Sequence, residues 1–369
     1  MVPNILISFL ILCFVIQLYF WLSFLFSRKS EVLGSNTESI QSSKVSVIVT
    51  IKNNTQEFKR TLPYLTNQNY SNYEVVVVDD GSDEAEFIAL QNFVEEYGSI
   101  RLIRNENATV NSGKRSALLL GIAASTGDFL LFTDSDCMPG SSKWISLMME
   151  GVHSPEIDIV IGISPYTKDA GILNRVILFE TLQSATLMIG FLEMGNPYMG
   201  LGRNLLLRRL ALLESKALEY EPLISGDDDL TVNRLATSRN TSWVKGQDAY
   251  VFTTNTKDFQ GYIHQKKRHF SAGKYYKLSD KRRLGLLALS HSVFILLTFL
   301  IMLFFPSYAT VTLLLFLIRS IVVVGVLDRN SKYFSMPVGW CWIFIFDLLL
   351  PIYYLVFSAN IFFKDIKRW

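Results

Sequence analysis

The sequence predicts an α/β protein in which a mostly parallel sheet forms a central domain and apolar helices flank it on both sides. Short β-branched runs alternate with helical segments between residues 44 and 283, an order typical of a parallel sheet. Charged residues make up only 18% of the 369 residues, and the mean hydropathy is +0.27. Because a soluble domain carries about a quarter charged residues, this composition indicates membrane segments.

The central segment alternates strands with helices along its first half. Strands are predicted at residues 45–50, 73–78, 100–103 and 129–133. The helices between them are predicted at residues 55–66, 84–97 and 114–124. The strands are apolar along nearly their whole length, so we expect helices to cover both faces of the sheet.

Long apolar runs predict one membrane helix before the central domain and two or three after it. These runs, each near the roughly 20 residues that span a bilayer, are residues 5–26, 284–305, 308–327 and 340–363. Arg28 and Lys29 directly follow the first run, which places the central domain on the cytoplasmic side by the positive-inside rule. We therefore expect a membrane anchor at residues 1–29, a linker at 30–43, a globular domain at 44–283 and a C-terminal membrane region, in contact with lipid, at 284–369.

Charged residues also occur within the apolar stretches. Arg319 and Asp347 lie inside two of the C-terminal runs, where a lone charge is expensive. They form either a structural ion pair or the polar lining of a groove. Residues 172–194 are apolar but carry several charges, so they form either an interfacial amphipathic helix or a buried core helix.

Composition excludes several other functions. Lys and Arg number 35 against 33 Asp and Glu, a formal net charge of +2, which gives no reason to expect a nucleic-acid partner. The three cysteines, Cys13, Cys137 and Cys341, match no zinc or redox spacing.

Acidic and amide side chains cluster where predicted strands end. Asn53 follows the first strand, Asp79 and Asp80 follow the second, and Asp134 and Asp136 follow the fourth. Ligands of parallel sheets bind beyond the carboxyl ends of the strands, so three segments deliver side chains to one rim. A single Asp at such a place is usually a turn or cap residue, whereas two acidic pairs at one edge favour a ligand site.

These motifs resemble the inverting family-2 glycosyltransferases, whose catalytic domain has the Rossmann-like GT-A fold. The stretch 62–82, which ends in DDGS, is similar to the family's opening block. The GK pair at 113–114 resembles its second block, and DSD at 134–136 resembles its DxD motif. A lone DxD is a weak signal, but the three motifs in this order are specific, and the resemblance runs from about residue 45 to residue 273.

The resemblance implies a nucleotide-sugar donor, expected to be a UDP-sugar, whose diphosphate leaves as an anion. A divalent metal neutralises that charge, and Mg²⁺ or Mn²⁺ prefers carboxylate oxygens. Asp136 is assigned as the metal ligand, and Asp134 is assigned to the metal or the ribose.

Four further residues are implied at the donor site. Asp79 and Asp80 are expected near the base and the ribose, with Asn53 beside them. Lys114 is expected at the phosphates, and its alternative is an ordinary lysine on a helix surface.

The acidic run at 227–229 supplies the expected general base, which deprotonates the acceptor hydroxyl. The family has an acidic pair at this place, and Asp228 aligns best, with Asp227 and Asp229 as the other candidates. Adjacent like charges raise a carboxyl pKa, which suits a base. The alternative is an acidic helix start, with the helix itself expected from Thr231 onward.

Two other segments resemble parts of the family's acceptor region. Residues 200–204, GLGRN, are similar to a glycine-containing strand before the base motif. Gln265, Arg268 and His269 stand where membrane-bound synthases of the family have QxxRW, a motif at the acceptor and the diphosphate. His269 replaces the Trp and removes a large stacking surface, which disfavours a polymer synthase.

The expected protein is an inverting, metal-dependent hexosyltransferase in a bacterial-type inner membrane. Its catalytic domain would be cytoplasmic, and its acceptor would be a lipid-linked or membrane-proximal glycan in polysaccharide or cell-envelope synthesis. Two alternatives remain open: a processive polysaccharide synthase, and a non-catalytic nucleotide-binding membrane module.

Overall fold

The structure, a computed structural model, describes residues 2–25, 42–98, 100–106, 108, 113–215, 227–254 and 258–363. It confirms the predicted class, a mixed α/β fold with a mostly parallel central sheet. Most of the predicted linker and the last six residues lie outside the described residues.

Nine strands lie in the described residues: β1 Val45–Ile51, β2 Tyr73–Asp79, β3 Ile100–Arg104, β4 Phe129–Asp134, β5 Cys137–Pro139, β6 Ile159–Ile161, β7 Leu205–Arg208, β8 Thr241–Trp243 and β9 Val251–Thr253. Seven of them form one sheet in the order β3-β2-β1-β4-β7-β6-β8. The first four strands in that order are mutually parallel, β7 is antiparallel to both neighbours, and β6 and β8 are parallel. β5 and β9 form a separate antiparallel pair.

The described helices are α1 Val2–Leu25, α2 Thr55–Thr66, α3 Glu84–Glu95, α4 Gly113–Ala124, α5 Trp144–Glu150, α6 Ile172–Glu193, α7 Arg209–Glu214, α8 Asp227–Leu235, α9 Phe259–Ala272, α10 Leu278–Phe304, α11 Ala309–Tyr333 and α12 Trp340–Phe363. Short 3₁₀ helices lie at Gln247–Ala249, Gly273–Tyr275 and Pro306–Tyr308.

Helices cover both faces of the main sheet, as the apolar strands predict. Val47 and Val49 of β1 belong to a buried cluster with Phe58 of α2 and Trp144 of α5. On the other face, Val76 and Val78 of β2 pack with Ala117 of α4. Successive side chains of a strand point to opposite faces of the sheet, so each strand contributes to the packing on both faces.

The chain divides into two compact units. One contains α1, α6 and α10 to α12, and the other contains all the described strands with the remaining α-helices. We call them the helical unit and the catalytic unit. The sequence-based division at residues 44 and 283 remains a proposal, and it did not include the grouping of α6 with the apolar helices.

Among the described residues, five helices are long and apolar enough to cross a membrane: α1, α6, α10, the stretch Pro306–Tyr333 that contains α11, and α12 over Trp340–Phe357. Within the helical unit α6 packs against α1, α11 and α12. The charged residues of α6 are accommodated there: Glu180 accepts a hydrogen bond from the Tyr353 hydroxyl at 2.7 Å. Gln183 donates to the Tyr354 hydroxyl at 3.0 Å. α6 is therefore a buried helix, and it packs in the core that the apolar helices form.

A polar network lies among the apolar helices of this unit. Arg319 of α11 forms a buried ion pair with Asp347 of α12, as one of the two sequence-based alternatives expects. Arg319 Nη2 also donates to Gln17 Oε1 of α1 at 3.0 Å. Gln17 Nε2 donates in turn to Ser290 Oγ at 2.8 Å and to the Leu287 carbonyl of α10 at 3.0 Å. Side chains from four helices thus pair with one another inside the helical unit, as buried polar groups in a membrane require.

Replacing Asp347 by Ala should destabilise the protein because it leaves the Arg319 charge buried and unpaired. Loss of one partner of a buried pair costs about 3–5 kcal/mol. Replacing both charges, Arg319→Met with Asp347→Leu, should recover most of that loss because no unpaired charge remains. Thermal unfolding in detergent measures both variants, and a single variant as stable as the wild type would contradict the structural role.

Candidate active site

The carboxyl ends of the central parallel strands bring the predicted acidic residues to one edge. Thr50 of β1 pairs with Val78 of β2 on one side and with Asp134 of β4 on the other. The next residue of β1, Ile51, pairs with Asp79. Asp79 and Asp134 therefore end their strands within one residue of the same level, so the rim predicted from the sequence is present.

Asn53 joins the loops that follow β1 and β2. Its φ of +48° lies in the left-handed region, which asparagine tolerates better than most residues. Its backbone N–H donates to Ser82 Oγ at 2.8 Å, and its side-chain oxygen accepts from the Asp83 N–H at 2.8 Å. These two hydrogen bonds hold the loops after β1 and β2 together. Contact between Asn53 and a donor remains a prediction.

Asp79 and Asp80 are both buried, and each has its own partner. Asp79 accepts from the Ser82 N–H at 3.3 Å and lies 3.9 Å from Arg104 Nε. Asp80 accepts from Asn105 Nδ2 at 2.9 Å. Burial raises the pKa of the Asp80 carboxyl, and the Asn105 hydrogen bond offsets only part of that rise. The two carboxylates are therefore held in place by their own partners at this edge of the sheet.

Asp134, Asp136 and Cys137 each present a possible metal-ligand atom, all within 4.8 Å of one another. Burial raises the pKa of the Asp136 carboxyl, and repulsion from Asp134 adds to that rise. Burial also raises the pKa of the Cys137 thiol well above its usual value, and a protonated thiol is a poor ligand. The donor set that remains is two carboxylates, which fits a hard cation such as Mg²⁺ or Mn²⁺.

Lys114 of α4 lies at this pair rather than on a plain helix surface. Its ammonium group contacts Asp134 Oδ1. Desolvation alone would lower the pKa of Lys114, but Asp134 and, to a smaller extent, Asp228 raise it above its usual value. One cation therefore contacts the DSD motif and interacts electrostatically with the predicted base.

Asp228 is held by the glycine-rich segment at 200–204. Asp228 Oδ2 accepts a hydrogen bond from the Gly202 backbone N–H at 2.5 Å. A Cβ at position 202 would lie 2.6 Å from that same oxygen, so only glycine permits this approach. The segment is a turn that leads into β7 rather than the strand that the resemblance implied.

Within the described residues α8 covers Asp227–Leu235, so the acidic run is helical, whereas the helix was expected from Thr231 onward. Carboxylates near a helix start interact favourably with the helix dipole. Asp228 Oδ2 reaches out of the helix to Gly202, and the choice between a base and an acidic helix start remains a prediction. The side chain of Asp227 lies outside the described residues.

The α9 motif is only partly brought to the site. Gln265 Nε2 donates to the Tyr166 hydroxyl at 3.4 Å, and the Arg203 guanidinium lies over the Tyr166 ring at 4.8 Å. His269 is exposed on α9, and the side chain of Arg268 lies outside the described residues. The predicted contacts of Arg268 and His269 with acceptor or diphosphate remain predictions.

Sequence reasoning missed three residues of the site. Asn105 follows β3 at the same sheet edge, so the strand-end rule that found Asp79 could have found it. Arg203 was quoted only as part of the glycine-rich segment. Tyr166 carries no local signal, because its position depends on a bridge with Thr253, 87 positions further along the chain.

The chain is similar to known glycosyltransferases. Residues 46–213 match Glycosyl transferase family 2. Glycosyltransferase AglE of Haloferax volcanii is 30% identical over 129 residues, which are 34% of this chain and 41% of that protein. Glycosyltransferase GlyG of Streptococcus pneumoniae is 27% identical over 118 residues, 32% of this chain and 38% of that protein. The matches thus span about two fifths of these relatives.

A solved structure shows the same fold. The mannosyltransferase PcManGT from Pyrobaculum calidifontis, in complex with GDP-Man and Mn²⁺, superposes with a TM-score of 0.59 at 17% identity. The superposition covers 96% of this chain and 99% of that one. Residues 46–213 are therefore similar to the family 2 glycosyl transferases, and the chain has the GT-A fold.

Proposed function

We propose that the protein transfers a sugar, with inversion and with the help of a divalent metal, from a nucleotide-sugar donor to a membrane-associated glycan. The observation that carries this proposal is that Lys114 contacts Asp134 while its pKa is also raised by Asp228, which the Gly202 N–H holds beside Arg203. The candidate metal pair and the candidate base therefore belong to one site. A scaffold that only binds nucleotides needs no base beside the metal pair.

The donor side of the site consists of the rim and the DSD motif. Asp136 and Asp134 would hold Mg²⁺ or Mn²⁺, and the bound ion would neutralise charge on the departing diphosphate. Asp79, Asp80 and Asn53 would bind the base and the ribose of the nucleotide. We take a UDP-sugar as the first donor to test.

Asp228 would act as the general base on the acceptor side. Its Oδ2 is fixed by the Gly202 N–H, which leaves Oδ1 to accept the proton of the attacking hydroxyl. A base on the face opposite the leaving diphosphate gives a single displacement, and a single displacement inverts the anomeric carbon. Lys114 would offset negative charge between the two halves of the reaction.

The acceptor is proposed to be lipid-linked or membrane-proximal, because five helices are apolar enough to span a bilayer. The sequence pair Arg28 and Lys29 after the first span supports a cytoplasmic catalytic unit. A bacterial-type inner membrane is the proposed location, and polysaccharide or envelope synthesis is the proposed role.

Release of nucleoside diphosphate tests the proposal. Detergent-solubilised protein with Mn²⁺ or Mg²⁺ is given a panel of UDP- and GDP-sugars, with and without membrane lipid extract. We expect metal-dependent release from one donor, and about 10²-fold or greater loss in Asp136→Asn, because metal assistance supplies several kcal/mol.

Asp128→Asn is the matched control for this experiment. Asp128 is exposed and precedes β4, at the opposite end of the strand from Asp134, and asparagine can still accept its hydrogen bond from the Lys44 N–H. It should release diphosphate at the wild-type rate. No release from any donor by the wild type, or equal release by Asp136→Asn, would contradict the proposal.

Asp228→Asn tests the base. Asparagine keeps an oxygen for the Gly202 N–H but cannot take a proton, so transfer should fall about 10²- to 10⁴-fold while donor affinity is retained. Steady-state rates and nucleotide titration measure the two quantities. A larger loss of rate in Asp229→Asn than in Asp228→Asn would assign the base to Asp229, and loss of nucleotide binding in Asp228→Asn would refute the role.

A further inference from the structure

Arg203 is a charged side chain in the site that none of the assigned roles uses. It lies in the turn before β7, directly after the glycine that contacts Asp228. Its guanidinium lies over the Tyr166 ring, with Cζ 4.8 Å from the ring centroid. Within the part of the chain that the structure describes, it makes neither a hydrogen bond nor an ion pair within 4.0 Å. The residue as a whole is half-buried.

A cation–π contact uses the positive charge of an arginine and does not occupy its N–H groups. The guanidinium therefore keeps its five N–H donors for a ligand. An arginine held in this way is pre-organised for a planar or tetrahedral oxyanion. Arg203 therefore presents an unused, oriented set of donors.

The ring that holds Arg203 is itself tied to the DSD motif. Tyr166 forms a bridge with Thr253 of β9, and the Thr167 N–H donates to the Thr253 carbonyl at 2.8 Å. Thr253 also pairs with Cys137, the first residue after Asp136. The Tyr166 hydroxyl accepts from Gln265 at 3.4 Å. These contacts fix the ring, and with it the guanidinium, relative to the candidate metal ligands.

A further cation is required to balance the negative charges expected at the site. Two carboxylates balance one divalent ion, and a nucleotide-sugar diphosphate then brings two further negative charges. The charge of Arg203 acts on both Asp134 and Asp136, and Lys114 contacts Asp134. Two cations from the protein match the two charges of the diphosphate.

We propose that Arg203 binds the diphosphate of the donor through its in-plane N–H groups and that Tyr166 positions it. Gln265 then acts by fixing the Tyr166 hydroxyl rather than by touching the substrate. This inference rests on the proposed function and adds to it a phosphate-binding residue and the ring that orients it.

Nucleotide titration tests this inference. Binding of UDP and UMP, with GDP and GMP as a parallel pair, is measured on the full-length protein in detergent, once with Mg²⁺ and once with EDTA. The wild type should prefer the diphosphate. Arg203→Gln should reduce that preference about tenfold or more, the usual size of a charge-assisted contact, and leave monophosphate affinity unchanged. Arg203→Lys should keep part of it, as a point charge does.

Three further variants serve as controls. Arg60→Gln removes an exposed arginine on α2 of the same unit and should bind all four nucleotides like the wild type. Tyr166→Leu should reduce the diphosphate preference more than Tyr166→Phe, because only the first removes the ring. Thermal unfolding of each variant checks that the fold is retained.

The outcomes separate the inference from the function. If Arg203→Gln keeps the full diphosphate preference, or weakens mono- and diphosphate equally, the inference is wrong and the proposed function stands. An effect seen only with Mg²⁺ would also refute it, since Arg203 would then act through the metal carboxylates. If the wild type binds none of the nucleotides, the proposed function fails as well.

Discussion

Repulsion among carboxylates crowded at one sheet edge is the constraint on which the rest of this site depends. Parallel pairing of β1, β2 and β4 makes their carboxyl ends level, so the acidic residues that follow them cannot avoid one another. Each is offset locally: Asp79 by Arg104, Asp80 by the Asn105 amide, and Asp134 by Lys114. Asp136 keeps a raised pKa, and a pair left in that state is suited to a divalent cation.

The turn at 200–204 interacts both with Asp228 and with the carboxylates of the DSD motif. Gly202 gives its N–H to Asp228, while the next residue, Arg203, acts electrostatically on the DSD carboxylates. Asn204 fixes the turn from within the core, because its buried amide bonds the carbonyls of Ile163 and Ala249 and the indole of Trp144. The glycine that contacts Asp228 and the arginine that acts on the DSD carboxylates are thus adjacent residues of one turn.

Much of this was predictable because it is local. The strands from β1 to β4 and the helices between them follow from β-branched runs and turn residues, and the strand-end rule placed Asp79 and Asp134 together. The expected start of the helix at Thr231 was wrong, since the described helix already includes Asp227 to Asp229. The position of Tyr166, the packing partners of α6 and the partners of Asn204 were not predictable, because they arise from pairings between distant segments, which no periodicity encodes.

Titration of Mn²⁺ by electron paramagnetic resonance tests most directly whether Asp136 binds the metal and Asp228 does not. The wild type, Asp136→Asn and Asp228→Asn are compared in detergent, each with and without UDP. Asp136→Asn should lose Mn²⁺ binding, whereas Asp228→Asn should bind the ion as the wild type does and hold it more tightly when UDP is present. Undiminished Mn²⁺ binding by Asp136→Asn, or its loss in Asp228→Asn, would contradict the account of one metal edge facing one base.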